Sequence, residues 1–141
     1  MRRALIFLLL AGCAARSPAP VEEAGKPAPE QPRETVAVAG LMESARNDAA
    51  AGRLSNAAAS LERALRLEPR NPRLWHELAK VRLKQGDFAQ AENLAARSST
   101  WAANDSALRA ENWRVIAQAR EAMGDARGAQ AARDNADRIA R

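Results

Sequence analysis

The sequence predicts an all-α solenoid built from three helical hairpins. Three observations carry this reading. The stretch from Asn71 to Ser98, NPRLWHELAKVRLKQGDFAQAENLAARS, holds two runs of helical spacing: Trp75, Leu78 and Ala79, then Phe88, Ala91 and Ala95. They are broken at Gly86-Asp87. The pattern has a copy 34 residues earlier, where Trp75 maps to Leu41, Gly86 to Gly52, Ala91 to Ala57 and Ala95 to Leu61. It has another 38 residues later, at Trp113, Ile116, Ala117, Gly124 and Ala129. One amphipathic hairpin occurs in any helical bundle. Three in register mark units that each leave an apolar face for a neighbour to cover.

The order W-x2-L-A, a Gly seven residues beyond that Ala, then A-x3-A, resembles the signature of the tetratricopeptide repeat (TPR). The repeats start near Val38, Pro72 and Ala110, with four extra residues before the third. Counting that insert, the repeats span about 38–71, 72–105 and 106–141 of a domain running from 36 to 141.

Composition agrees. Much of the 47% apolar content is Ala, and there are three Trp, two Phe and no Tyr. Stacked hairpins tolerate this, because small residues allow close helix approach and stability accrues between neighbouring units. The net charge is +5, and the 17 Lys/Arg from Val36 onward are interspersed with 13 Asp/Glu. That balance suits an anionic partner surface at most. One Cys excludes an intrachain disulfide, and one Cys with one His excludes an ordinary zinc site.

The chain opens MRRALIFLLLAGC, with Arg2-Arg3 before a short apolar run from Ala4 to Leu10. The run is too short to span a bilayer as a finished helix. Leu10-Ala11-Gly12-Cys13 resembles the bacterial lipobox, which implies a signal peptide at 1–12 and acylation of Cys13. The Arg pair lacks the rest of a twin-arginine export motif. Ala14, in place of the Asp that favours inner-membrane retention, implies an outer-membrane destination facing the periplasm. Residues 13–35 are then the lipidated Cys and a Pro-rich linker holding five of the seven prolines. The linker has almost no large apolar side chain, so it is expected to be disordered with polyproline II character. At about 3.1 Å per residue it reaches roughly 70 Å. It serves either as a semi-stiff leash or as a passive spacer.

In hairpin one, a helix over Ala39–Ala51 ends at Gly52, a second opens at Ser55 or Asn56, and Pro69 stops it. Glu62 and Arg66 are spaced to pair at i, i+4. Pro72 falls in the first turn of the next helix, where its missing N–H costs nothing. In hairpin three, Asn104 or Asp105 caps a helix that the insert lengthens by one turn, over Ser106–Met123. The last helix, Ala126–Ala140, is weakly apolar, and Arg127, Arg133, Asp134, Asp137 and Arg138 give it a polar outer face.

In a TPR array the first helix of each repeat lines a concave groove. Its groove positions here are Ala39, Met42, Arg46, Ala49 and Ala50, then Arg73, His76, Lys80, Leu83 and Lys84, then Glu111, Arg114, Gln118 and Glu121. Arg46, Arg73, His76, Lys80, Lys84, Arg114 and Gln118 are the candidate partner-binding set. They form either a basic groove for an acidic or C-terminal peptide or an ordinary solvated helix face. Trp75 and Trp113 hold the repeat's large-aromatic packing position. Trp101, in the insert, either packs over the joint between repeats two and three or anchors a partner. His76 has no nucleophile or carboxylate placed with it by any motif, and there is no phosphate loop, nucleophile elbow or metal-ligand spacing. No catalytic residue, metal or cofactor is expected.

The wording LERALRLEPRNPRLWHELAKVRLKQGDFAQAENLAARS, then ENWRVIAQAR, together with the lipobox, resembles the LpoP family of TPR outer-membrane lipoproteins. The likeness covers about 38–125. It implies a non-catalytic activator of a class A penicillin-binding protein of the 1b type, a bifunctional peptidoglycan synthase reached through the cell-wall mesh. The other readings are a pilotin-like or general TPR adaptor lipoprotein and a wall-modifying enzyme. The residue inventory speaks against the last.

Overall fold

The computed structural model describes residues 35–141; the lipobox-like segment, Cys13 and the Pro-rich linker lie outside the described residues. Six helices follow in order: α1 (Val36–Ala50), α2 (Leu54–Leu67), α3 (Pro72–Gln85), α4 (Phe88–Trp101), α5 (Ser106–Ala122) and α6 (Ala126–Ala140). Each packs against the next, and α3 also against α5, so three antiparallel hairpins stack into an array of first and second helices.

The three hairpin turns are the same turn. Gly52, Gly86 and Gly124 each take a left-handed φ, of 75°, 84° and 84°. This lets the next N–H reach back to the preceding turn: Arg53 to the Asp48 carbonyl at 2.8 Å, Asp87 to Arg82 at 3.0 Å and Asp125 to Arg120 at 2.9 Å. That six-to-one bond closes a helix end, and only a residue without Cβ enters it free of strain.

The connections between hairpins are capped by side chains. Asn71 accepts the Arg73 N–H at 3.0 Å with Pro72 following it, and Asp105 accepts the Leu108 N–H at 2.9 Å. The insert lengthens α5 at its start, to 17 residues against 14 in α3. Trp101 is not in a loop, however. It is the last residue of α4, 34 positions after Leu67 at the end of α2.

The core changes character along the stack. Between hairpins one and two it is Val38, Met42, Leu61, Leu65, Leu74, Leu78 and Val81, with Trp75 half-buried against them. Towards hairpin three it thins to Ala79, Ala95, Ala117 and Ala132 around Val115 and Ile116, flanked by half-buried Trp113. Both repeat tryptophans therefore pack, but neither is enclosed. The Trp75 ring keeps an edge at the surface and donates its Nε1–H to the Pro69 carbonyl at 2.9 Å. Ala119, Ala129 and Ala132 are fully buried, so α5 and α6 meet through small side chains. Truncating Leu61 or Leu74, both fully enclosed, to Ala would cost about 3 kcal/mol.

The expected Glu62–Arg66 pair does not form. Glu62 meets Arg82 of α3 at 2.7 Å instead, so a contact between helices displaces the one along the helix.

Candidate functional site

Two connected hollows open on the side of the stack lined by the first helices. The first, about 200 Å³, lies between α1 and α3. Its floor is Met42, Ala45, Ala49, Leu61 and Val81, and Arg46, Lys80 and Lys84 stand on its rim with Glu77. The second, about 260 Å³, runs on towards α5 and is lined by Arg46, Arg73, His76, Lys80, Glu77, Asp105 and Glu111 among others.

The helical spacing explains the first hollow. Arg46, Ala49 and Ala50 on α1 and Lys80, Val81 and Lys84 on α3 turn towards each other, and the alanines leave the gap. An apolar floor with a cationic rim suits an acidic segment that also offers an apolar side chain. Lys80 is already engaged, with Nζ 2.9 Å from a Glu77 carboxylate oxygen. Among the described residues, Arg46, Arg73, Lys84 and Arg114 make no ion pair within 4.0 Å.

The predicted groove set is thus only partly brought together. Arg46, Lys80 and Lys84 share one hollow, and Arg46, Arg73, His76 and Lys80 share the other. Three carboxylates balance the second hollow, so a continuous basic groove reduces to the Arg46–Lys84 end. Arg114 and Gln118 are exposed further along α5 and line neither hollow.

His76 differs most from expectation. It faces inward, 6% exposed, with Nδ1 2.7 Å from Asn112 Oδ1. Nδ1 therefore carries the proton and donates it, since an amide oxygen only accepts. Asn112 in turn donates to Ser98 Oγ at 2.8 Å, and Ser98 donates to the Pro72 carbonyl at 2.8 Å. This buried chain ties α3, α4 and α5 together. His76 is a strut beneath the groove, with only Nε2 turned towards Glu111, 3.6 Å from its carboxylate. Asn112 and Ser98 carried no motif signal in the sequence.

Two further polar contacts hold the frame. Arg120 grips Glu92 through both Nε, at 3.0 Å, and Nη2, at 2.6 Å, bridging α4 and α5; that hydrogen-bonded carboxylate raises the guanidinium pKa further. At the start of the domain, Glu68 receives the Thr35 N–H at 2.9 Å and the Asn71 amide at 2.8 Å. Burial pushes the Glu68 carboxyl up, but these hydrogen bonds outweigh it and hold it below its ordinary value. Among the described residues no group of three His, Cys, Asp or Glu side chains is arranged to hold a metal ion, and no helix is long and apolar enough to cross a membrane.

Six antiparallel helices with the same glycine turn three times, and a groove lined by the first helix of each pair, define a TPR domain. Residues 48–111 match the tetratricopeptide repeat family model. A comparison with curated protein sequences gives no match. Among solved structures, the chain is similar to the globular C-terminal domain of LpoP from P. aeruginosa, at 47% identity and a TM-score of 0.72. The match covers 73% of this chain and 97% of that one. The chain belongs to the LpoP family.

Proposed function

We propose that this protein is a non-catalytic outer-membrane lipoprotein that activates a bifunctional class A penicillin-binding protein by contact through its TPR domain. The observation that carries the reading is the 47% identity to the LpoP domain over nearly its whole length. The groove supplies a means of contact. Its apolar floor accepts one side chain, and Arg46 and Lys84, free of carboxylates among the described residues, accept acidic groups beside it. A TPR domain of this kind fits an adaptor without chemistry of its own. It raises a partner's activity only by binding the active conformation more tightly than the inactive one. Acylation at Cys13 would fix the chain to the membrane, and the Pro-rich segment 14–35 would let the domain stand away from it.

The test is glycan polymerisation by the organism's 1b-type synthase on lipid-linked precursor, with and without residues 36–141. A rate increase that Lys80→Glu with Lys84→Glu abolishes, at unchanged helicity, supports both partner and groove. An increase that survives the double change keeps the partner and moves the contact elsewhere. The absence of both binding and stimulation would sink the synthase reading.

A further inference from the structure

The second helices of hairpins one and two repeat one arrangement 34 residues apart. On α2 and the turn behind it, Arg63, Arg66, Leu67 and Arg70 follow at i, i+3, i+4, i+7. On α4 and the connection behind it the matching positions are Arg97, Thr100, Trp101 and Asn104. All eight are exposed, and Leu67 at 57% and Trp101 at 39% are two of the few large apolar side chains left open among the described residues.

The two stripes meet. The Arg70 guanidinium lies over the Trp101 ring, 5.3 Å from its centre, and that of Arg97 over Trp75 at 4.6 Å. These contacts orient the arginines without neutralising them. Arg53, Arg82, Arg120 and Arg133 are each paired with a carboxylate. Arg63, Arg66, Arg70 and Arg97 have none within 4.0 Å among the described residues. Glu68, which lies between them in sequence, turns its carboxylate to the Thr35 N–H and to Asn71. The edge therefore holds a cluster of uncompensated positive charge around an open Leu and Trp.

We infer that this edge is a second docking surface, for an acidic segment of a partner protein that carries an apolar side chain. Carboxylates would meet the guanidinium forks of Arg66, Arg70 and Arg97, and the apolar group would cover Leu67 and Trp101. Trp and Arg together are the composition of interface hot spots. A bilayer is the poorer occupant, because Trp101 is more than half covered and held under Arg70 rather than projecting. The edge belongs to the second helices and the groove to the first, so both can be filled at once, whatever protein occupies the groove.

The experiment uses the full chain with Cys13→Ser, so that no acyl group carries it to lipid. The probes are a fluorescein-labelled Glu-rich peptide with Leu at every third position, the same peptide with Ser for Leu, and phosphatidylglycerol vesicles. The Leu peptide is expected to bind several-fold more tightly than the Ser peptide. Arg66→Glu with Arg70→Glu weakens it about ten-fold or more, and Arg66→Gln with Arg70→Gln by less, as loss and reversal of charge require. The groove suits the same chemistry, so the comparison is repeated in a Lys80→Glu, Lys84→Glu background: the Leu peptide still binds there, and adding Arg66→Glu with Arg70→Glu still weakens it about ten-fold or more. Both edge arginines are exposed, so an unchanged melting curve establishes that the variants fold. The inference is overturned if the Leu peptide does not bind at low salt, if only the groove variant loses it, if Leu and Ser peptides bind alike, or if the vesicles bind more tightly than either peptide.

Discussion

His76 Nδ1 sits 2.7 Å from Asn112 Oδ1, 36 positions away and fully buried, so a groove-side residue of repeat two is held by the core of repeat three. Asn112 fills both of its roles, accepting from His76 and donating to Ser98. Asn112→Ala would leave the buried His76 N–H without its acceptor and Ser98 Oγ without its donor, while Ser98 keeps the Pro72 carbonyl. The expected cost is about 2–4 kcal/mol, read as a lower urea midpoint at unchanged slope. Asn112→Leu, similar in volume, removes the same two hydrogen bonds and should cost about as much. A loss below about 1 kcal/mol in both variants would show that water replaces the amide.

Ala103 is the one non-glycine residue with positive φ among those described, at 43°, in the connection from α4 to α5. A Cβ in that conformation costs about 1 kcal/mol or more. Ala103→Gly should therefore raise stability by a few tenths to about 1 kcal/mol, the relief exceeding the added freedom of the unfolded chain. The melting temperature reads this directly, and a drop would mean that the Ala103 methyl packs usefully.

What the sequence made legible was what is local. The three turn glycines stand where φ must be positive, and α6 spans the expected Ala126–Ala140 because the Gly124 turn and the Asp125 cap act within a few residues. Asp105 capped α5 as its neighbourhood implied. What stayed hidden depends on how hairpins rotate against one another. His76 satisfies the helical spacing of a groove residue, yet its ring is buried against Asn112 of α5, 36 positions away. Glu62 obeys the i, i+4 rule towards Arg66 but finds Arg82 on the next helix. Lys80 and Lys84 read as a bare basic stripe, because Glu77 reaches Lys80 from one turn away and its rotamer has no sequence signature.

Glu68 predicts a pH dependence. Its folded pKa is depressed, so the stabilisation is present above its unfolded value of about 4.5 and is lost as pH falls through the lower folded value. Acidification below about pH 4.5 should weaken the tie between the start of α1 and the end of α2. Glu68→Gln should flatten that part of the stability profile and speed amide exchange at Val38 and Ala39, whose N–H groups bond Thr35. An unchanged acid limb in the variant would place the dependence on other carboxylates.

The groove floor offers a test that charge reversal cannot. Ala49 is half-buried in the first hollow, beside Ala45, Arg46 and Val81. Ala49→Phe would place a ring in a space of about 200 Å³ that is open at one side, so the new side chain has room without forcing the backbone apart. Stability should change by less than about 1 kcal/mol, since the site is a surface hollow and not a close-packed core. If the partner inserts an apolar side chain there, its affinity should fall by about ten-fold or more, carried mainly by faster dissociation. Lys84→Gln should instead slow association and weaken the salt dependence while leaving dissociation nearly unchanged. Binding that tolerates Ala49→Phe but not Lys84→Gln would reduce the groove to an electrostatic rim. Binding indifferent to both would remove the groove as the contact.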